Sequence, residues 1–522
     1  MPGFRLKGRF ALFGTLFESL GQVLEPETLL LMLAGIAIGF VVGVLPGLGG
    51  SVTLALMLPF VFGMEPVQAF AFLLGMWVVT ATTGDITSVL FGVPGEATSA
   101  ATVLDGYPMT KRGEAGRALG AVLLSSTQGA ILGAIFLALS VPILRPLVLA
   151  FGPPEFFMLT LLGLTFVVSL SGRNVLKGFI MAALGMLVAL VGIDPQAGVP
   201  RYTFDQLYLW DGIDIVPLVV GLFAGAEVLQ LMLSKSSIAN RETSSELSGI
   251  GQGIRDTFRH WSVVVRSSAI GIGIGIIPGM GGSVSQFIAY GHAQQTSKHP
   301  EEFGKGSIEG VLAAGANNNA KDAGALVPTI AFGIPGSVGA AVLLGAFLIT
   351  GLNPGPEMLT ENLDVTFSMV WIMVLANIVA VAVSFLLLRQ LIKLTFIPGT
   401  WLVPFLLILL GIGAYTANNN FNDIFVMLGA AVLGIVAIQW DWPRVPFLLA
   451  VVLGGLAERY LFLSHELHGW SWLSEPSVLG IGAAMVFVAL WPYVRAILRW
   501  RSAAAPAEVE ESDREKVSGV GE

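Results

Sequence analysis

Long charge-free stretches separated by short polar joints set the pattern of this chain. In the first half they run from Thr28 to Met64, Pro66 to Gly84, Ala118 to Leu144, Phe156 to Gly172 and Gly178 to Ile193. In the second they run from Ser267 to Gly291, Ala323 to Pro356, Val365 to Leu388, Leu394 to Asn422, Ile424 to Trp440 and Ser477 to Val494. Ile215 to Ala226 and Val445 to Ala457 are shorter runs of the same kind. A helix needs about 20 apolar residues to cross a bilayer. Several runs exceed one span and fall short of two. The pattern therefore predicts an all-α polytopic membrane protein with about 10–12 transmembrane helices plus broken or re-entrant segments.

The polar remainder divides the chain. Residues 1–26, with Arg5, Lys7 and Arg9 at the start, read as an interfacial segment on a cytoplasmic N-terminus. Residues 27–233 form a first membrane half. Residues 234–266, which carry Lys235, Arg241, Arg255, Arg259 and Arg266, read as a cytoplasmic loop. Residues 267–501 form a second half with additional helices, and 502–522 read as a disordered acidic tail. Composition agrees: of 522 residues 54% are hydrophobic and 12% charged, about half the charge of a soluble chain. The 64 glycines and 27 prolines exceed what uninterrupted spans call for and suit closely packed or broken ones.

The two halves repeat a motif. GFVVGVLPGLGGSV, from Gly39 to Val52, is answered by GIGIGIIPGMGGSV, from Gly271 to Val284, at a constant offset of 232. Further on, Phe91-Gly92-Val93-Pro94-Gly95 is answered by Phe332-Gly333-Ile334-Pro335-Gly336. Each half thus carries two Gly-Pro breaks in the same order, the sequence mark of secondary transporters built from duplicated halves.

Such breaks predict a binding site. A Pro-Gly pair interrupts the helical ladder and frees backbone groups that cannot face lipid, so matched breaks point to a shared polar cavity. Helix N-termini there suit an anion and free carbonyls suit Na⁺. The candidate substrate- and ion-binding residues of the first half are Pro46, Gly47, Gly49, Gly50, Ser51, Ser88, Pro94, Gly95 and Thr98. Those of the second are Pro278, Gly279, Gly281, Gly282, Ser283, Asn317, Asn318, Asn319, Thr329, Pro335, Gly336 and Ser337. Asp85 and Asp322, acids placed shortly before the second break of each half, are candidates for ion coupling. Asp322 adjoins Lys321, so a local ion pair competes with that role, and Glu96 reads as a helix cap. The bland alternative is that the glycines pack helices and the hydroxyls bond back to their own backbone. Gly35, in the first span but away from the break, is expected to tolerate a larger side chain better than Gly50 or Gly282.

Other chemistry finds no support. With no cysteine there is no disulfide, thiolate metal site or Cys nucleophile. His465-Glu466-Leu467-His468 lacks zinc-protease spacing, and Gly304-Lys305-Gly306-Ser307 lacks the pattern of a P-loop. Ser283 or Ser285 with His292 has no nucleophile context, so no enzyme is expected, no metal beyond a transported Na⁺, and no nucleic-acid partner. A passive anion channel is the competing function, since it could share a Gly-lined cavity.

Four segments resemble one family. GVLPGLGGSV at Gly43–Val52, FGVPGEATSAATVLDGYPMTKRGEAGRALGA at Phe91–Ala121, PGMGGSVSQFIAYG at Pro278–Gly291 and FGIPGSVGAAVLLGAF at Phe332–Phe347 resemble the TctA family, the large membrane subunit of tripartite tricarboxylate transporters. The resemblance implies a secondary importer of organic di- or tricarboxylates coupled to Na⁺ or H⁺, with no other cofactor. It implies two partners, a small four-span membrane subunit and an extracytoplasmic solute-binding protein, and a place in the bacterial inner membrane.

Overall fold

The computed structural model describes residues 3–43, 49–169, 175–194, 196–233, 248–278, 282–394 and 399–503. Among them seven helices are long and apolar enough to cross a membrane, and seven shorter apolar helices accompany them. The fold is that of an all-α multi-pass membrane protein, and three of the apolar runs, Thr28–Met64, Ser267–Gly291 and Ala323–Pro356, are each divided between two helices.

Thirteen helices position the site. They are α1 (Pro26–Gly43), α2 (Gly50–Met57), α3 (Pro66–Phe91), α4 (Ala100–Lys111), α5 (Ala115–Val148), α6 (Ile215–Met232) and α7 (Trp261–Gly275). The others are α8 (Gly282–Thr296), α9 (Ile308–Phe332), α10 (Val338–Ile349), α11 (Leu363–Leu394), α12 (Asn422–Gln439) and α13 (Arg444–His468). Helices α3 and α9 are the buried spine, inside from Ala69 to Leu90 and from Gly310 to Ala331.

Glycine spacing brings neighbours onto that spine. Gly39 and Gly43 of α1 lie so close to α3 that a Cβ would come within 2.7 Å of Met76 O and Thr80 Cα. Gly271 and Gly275 of α7 lie against α9 in the same way, 3.0 Å from Asn317 O and Ala325 N. Gly129 and Gly133 of α5 press on Ala316 and Ala323 of α9. Small residues one turn apart let backbones approach where lipid supplies no hydrophobic drive for association.

The second breaks share one local geometry. Helix α3 ends at Gly92, φ 67°, ψ 17°, and α9 ends at Gly333, φ 68°, ψ 18°, left-handed positions that suit glycine. Four residues on, Glu96 (φ −142°, ψ 166°) and Ser337 (φ −146°, ψ 169°) open the next helical turn from the same extended conformation.

Two of the polar segments contain helices. Residues Ile250–Arg259, within the segment 234–266, are a helix held to α5 by Arg117 on Asp256 at 2.6 Å. The N-terminal helix Gly3–Val23 packs on α11, where Trp371 Nε1 donates to Leu16 O at 2.7 Å. Residues 504–522 of the acidic tail lie outside the described residues.

Candidate functional site

The first break gives α2 an N-terminus that faces a carboxylate. Gly50 N donates to Glu96 Oε2 at 2.9 Å, and Thr98 Oγ1 donates to the other oxygen of the same group. Glu96 is fixed in turn by its own N–H, which donates to Ser99 Oγ at 3.3 Å. The free N–H and partial positive charge of a helix start favour such an anion. The sequence reading of Glu96 as a cap is what the structure shows. A Cβ on Gly50 would come within 2.6 Å of Thr80 Oγ1 and 2.8 Å of Trp77 Cδ1, so this residue must stay small.

The matching break of the second half, before α8, has an ion pair beside it. Helix α8 starts at Gly282, where a Cβ would sit 2.5 Å from both Lys321 Cε and Thr98 Cγ2. The Lys321 ammonium bonds both oxygens of Asp322, at 3.0 and 3.1 Å, with each side chain only 5% exposed. Counting on from the Phe91–Phe332 match, Lys321 answers Thr80 and Ser337 answers Glu96. The repeat therefore places a hydroxyl and a carboxylate in one half where it places an ammonium and a hydroxyl in the other.

Both breaks line one cavity of about 420 Å³. Of the predicted residues Gly49, Ser51, Pro94, Gly95, Thr98, Gly282, Asp322 and Ser337 face it, joined by Trp77, Glu96 and Lys321 and by Glu227 and Arg444 from outside both motifs. Gly336 borders a small adjoining pocket with Lys321 and Asp322. Among the described residues no cluster of three His, Cys, Asp or Glu could hold a metal ion.

Other predicted residues sit elsewhere. Ser88 donates to Gly84 O at 2.9 Å and Thr329 to Ala325 O at 2.6 Å, both back to their own helices. Pro278 is buried in the turn after α7, and Pro335 is buried in the break after α9. Asn317, Asn318 and Asn319 are fully buried within α9 and bond to four neighbouring helices. Asn317 Nδ2 donates to Ser267 O at 3.2 Å; Asn318 Nδ2 to Ala81 O and Asp85 Oδ2, each at 2.9 Å; Asn319 Nδ2 to Thr82, Ser126 and Asn377 at 3.0, 2.8 and 2.6 Å. Their three Oδ1 atoms have no partner among the described residues. Asp85, also fully buried, accepts from Asn318 and from Thr102 Oγ1 at 2.7 Å. Pro46, Gly47, Gly279 and Gly281 lie outside the described residues, as does the side chain of Ser283.

Sequence reasoning passed over Glu227 and Arg444. The signal was there: Glu227 directly ends the apolar run Ile215–Ala226, and Arg444 directly precedes the run Val445–Ala457. Charges that close a span meet across the cavity once α6 and α13 pack.

A multi-pass helical protein with a charged cavity closed around paired helix breaks has the form of a membrane transporter. The chain belongs to the tripartite tricarboxylate transporter TctA family, whose model matches residues 29–449. It is 33% identical over 479 residues, 90% of this chain and 95% of the relative, to an uncharacterized 52.8 kDa protein of Agrobacterium vitis encoded in the TAR-I ttuC′ 3′ region. A second uncharacterized protein of that organism, from the TAR-II ttuC′ 3′ region, is 32% identical over 228 residues, 42% of this chain and 94% of its own length. No solved structure matches the chain.

Proposed function

We propose that this chain is the translocating subunit of a secondary importer of organic di- or tricarboxylates, driven by Na⁺ or H⁺, in the bacterial inner membrane. In this reading it works with a small four-span membrane subunit and an extracytoplasmic solute-binding protein, and its two halves are duplicates. The observation that carries it is the cavity where Lys321 and Asp322, Glu96 and the starts of α2 and α8 meet. A buried ammonium whose stem lies beside a helix start is a site for a carboxylate. The carboxylate of Asp322 beside it leaves a place for a coupling cation, and Asp85 is a second candidate.

Two roles follow for residues of this chain. Lys321 holds a substrate carboxylate and, on doing so, loosens its hold on Asp322. Asp322 is then a buried charge in need of a cation, so substrate and cation stabilise each other in the cavity. The test is uptake of citrate into proteoliposomes by the chain alone and with both partners, with the Na⁺ and H⁺ gradients collapsed separately. Uptake should need the partners and one gradient. Full uptake by the lone chain, or uptake that survives loss of both gradients, overturns the reading and favours a channel.

A further inference from the structure

A second cavity of about 420 Å³ lies against the first, lined by the end of α12 and the start of α13, including Asp441 and Trp442. Five residues line both: Ser51, Val52, Glu227, Val338 and Arg444. Of these only Glu227 and Arg444 are charged. They meet at 2.9 Å, Arg444 Nη2 on Glu227 Oε1, with side chains 19% and 21% exposed. The boundary that the two cavities share therefore carries one ion pair.

The pair is held in a way that leaves it free to exchange. Arg444 divides its fork: Nη1 donates to Leu222 O at 3.1 Å, and only Nη2 reaches the carboxylate. Arg201, by contrast, grips both oxygens of Glu458, at 2.7 and 3.1 Å. A guanidinium's strongest bond to a carboxylate is two-pronged, and Glu227 receives one prong. The ring of Phe223 lies 5.2 Å from Arg444 Cζ and keeps the cation in place without using its donors. Leu222 and Phe223 both belong to a π-helical turn, Val220–Gly225, inside α6. Such turns are frequent at functional sites. Here the turn supplies both the carbonyl and the ring that anchor Arg444.

We propose that Arg444 takes a carboxylate group of the substrate as it passes between the two cavities, and that Glu227 is the counter-ion it releases to do so. This rests on the carboxylate-transport reading and adds a second cationic contact to Lys321. A di- or tricarboxylate then meets Lys321 with one end and Arg444 with another, while a monocarboxylate satisfies only one. With the cavity empty, Glu227 neutralises Arg444 and the pair narrows the passage.

The chain has no cysteine, so an introduced thiol is the only one on this subunit, and the same complex without it gives the background. The experiment uses the full complex in proteoliposomes and a membrane-impermeant thiol reagent added from the face that bears Asp441. Thr98→Cys reports the inner cavity and Asp441→Cys the outer one. Arg444→Ala and Glu227→Ala should each speed labelling of Thr98→Cys by about tenfold, equivalent to 1.4 kcal/mol of opening, and leave Asp441→Cys unchanged. Citrate should protect Thr98→Cys with Arg444 present and lose that protection in Arg444→Ala. The swap Glu227→Arg with Arg444→Glu should restore slow labelling and not citrate protection. Detergent-stable yield and Arg444→Lys, which keeps the charge, control for misfolding. Unchanged labelling together with citrate protection that survives Arg444→Ala overturns the role of Arg444. Absence of protection by any carboxylate before mutation overturns the transport reading itself.

Discussion

The break before α2 and the break before α8 carry the same sequence motif and different charged groups: a carboxylate, Glu96, at the first, and an ion pair, Lys321 with Asp322, at the second. At the first, the chain's own Glu96 occupies the start of α2 through Gly50 N. At the second, the stem of Lys321 lies against the first residue of α8, and its ammonium is held by Asp322. A helix start that already holds a carboxylate has little left for a substrate anion. The start of α8 is the one backed by a cation. The repeated motif thus marks where polar groups gather, and in the proposed reading the side chains beside it decide which half takes the anion.

The comparison breaks most sharply at Lys321. Lys321→Ala leaves Asp322 buried and unpaired, a loss of about 3–5 kcal/mol for one partner of a buried pair. Uptake should fall to background and detergent-stable protein should drop. Replacing both, Lys321→Ala with Asp322→Ala, removes the stranded charge, so thermal stability should return while uptake does not. Normal uptake by either variant would show that the charge difference between the breaks has no part in transport.

The matched glycines sharpen the contrast. At Gly50 a Cβ meets Trp77 and Thr80, both buried in α3; at Gly282 it meets the flexible stem of Lys321 and a methyl of Thr98. Gly50→Val should therefore cost both folded protein and uptake. Gly282→Val should spare much of the folded protein by displacing the lysine, and still abolish uptake. Yield on a sizing column, measured beside uptake, separates the two, and equal losses of yield at both positions would refute the distinction.

How much of this the sequence disclosed depends on what signal each feature leaves. The Gly-Pro repeats marked both breaks and part of the cavity wall, because left-handed turns and close backbone approach demand glycine at Gly92, Gly333, Gly50 and Gly282. Glu227 and Arg444 carry no such demand; they reach the cavity through the packing of α6 and α13. Asn317 to Asn319 looked like cavity residues since three amides are costly in a membrane, and a helix interior met that cost with bonds to four neighbouring helices. Gly35 is expected from its place in the chain to tolerate enlargement better than Gly50 or Gly282, yet its Cβ would strike the backbone of Phe72, 3.0 Å from the carbonyl carbon and nearer still to its oxygen. Distance along the chain from a break says nothing about packing across it.

Glu96 should give a smaller effect than either glycine. As the cap of α2, its loss in Glu96→Ala should cost about 0.5–2 kcal/mol of stability. Glu96→Gln keeps an oxygen for Gly50 N and should retain most of the stability and most of the uptake. If Glu96→Gln instead abolishes uptake with stability intact, the first break contributes a charge to transport, and the assignment of the anion site to the second half alone is wrong.

The smallest effect should come from Asn317, where the spine and the cavity are told apart. Its one amide bond, to Ser267 O, is long at 3.2 Å, and it does not line the cavity. Asn318 carries more, since Asn318→Ala strips a hydrogen bond from Asp85, a buried carboxylate with one other side-chain donor, Thr102. Leaving such a group short of a partner costs about 1–3 kcal/mol. Asn317→Ala should lower thermal stability by no more than about 1 kcal/mol, the worth of one ordinary hydrogen bond. Neither variant should change the apparent KM for citrate, because their amides hold helices and not substrate. A raised KM in Asn317→Ala at unchanged stability would place the asparagine run in the site after all, and with it the orphaned Oδ1 atoms as ligands for a cation.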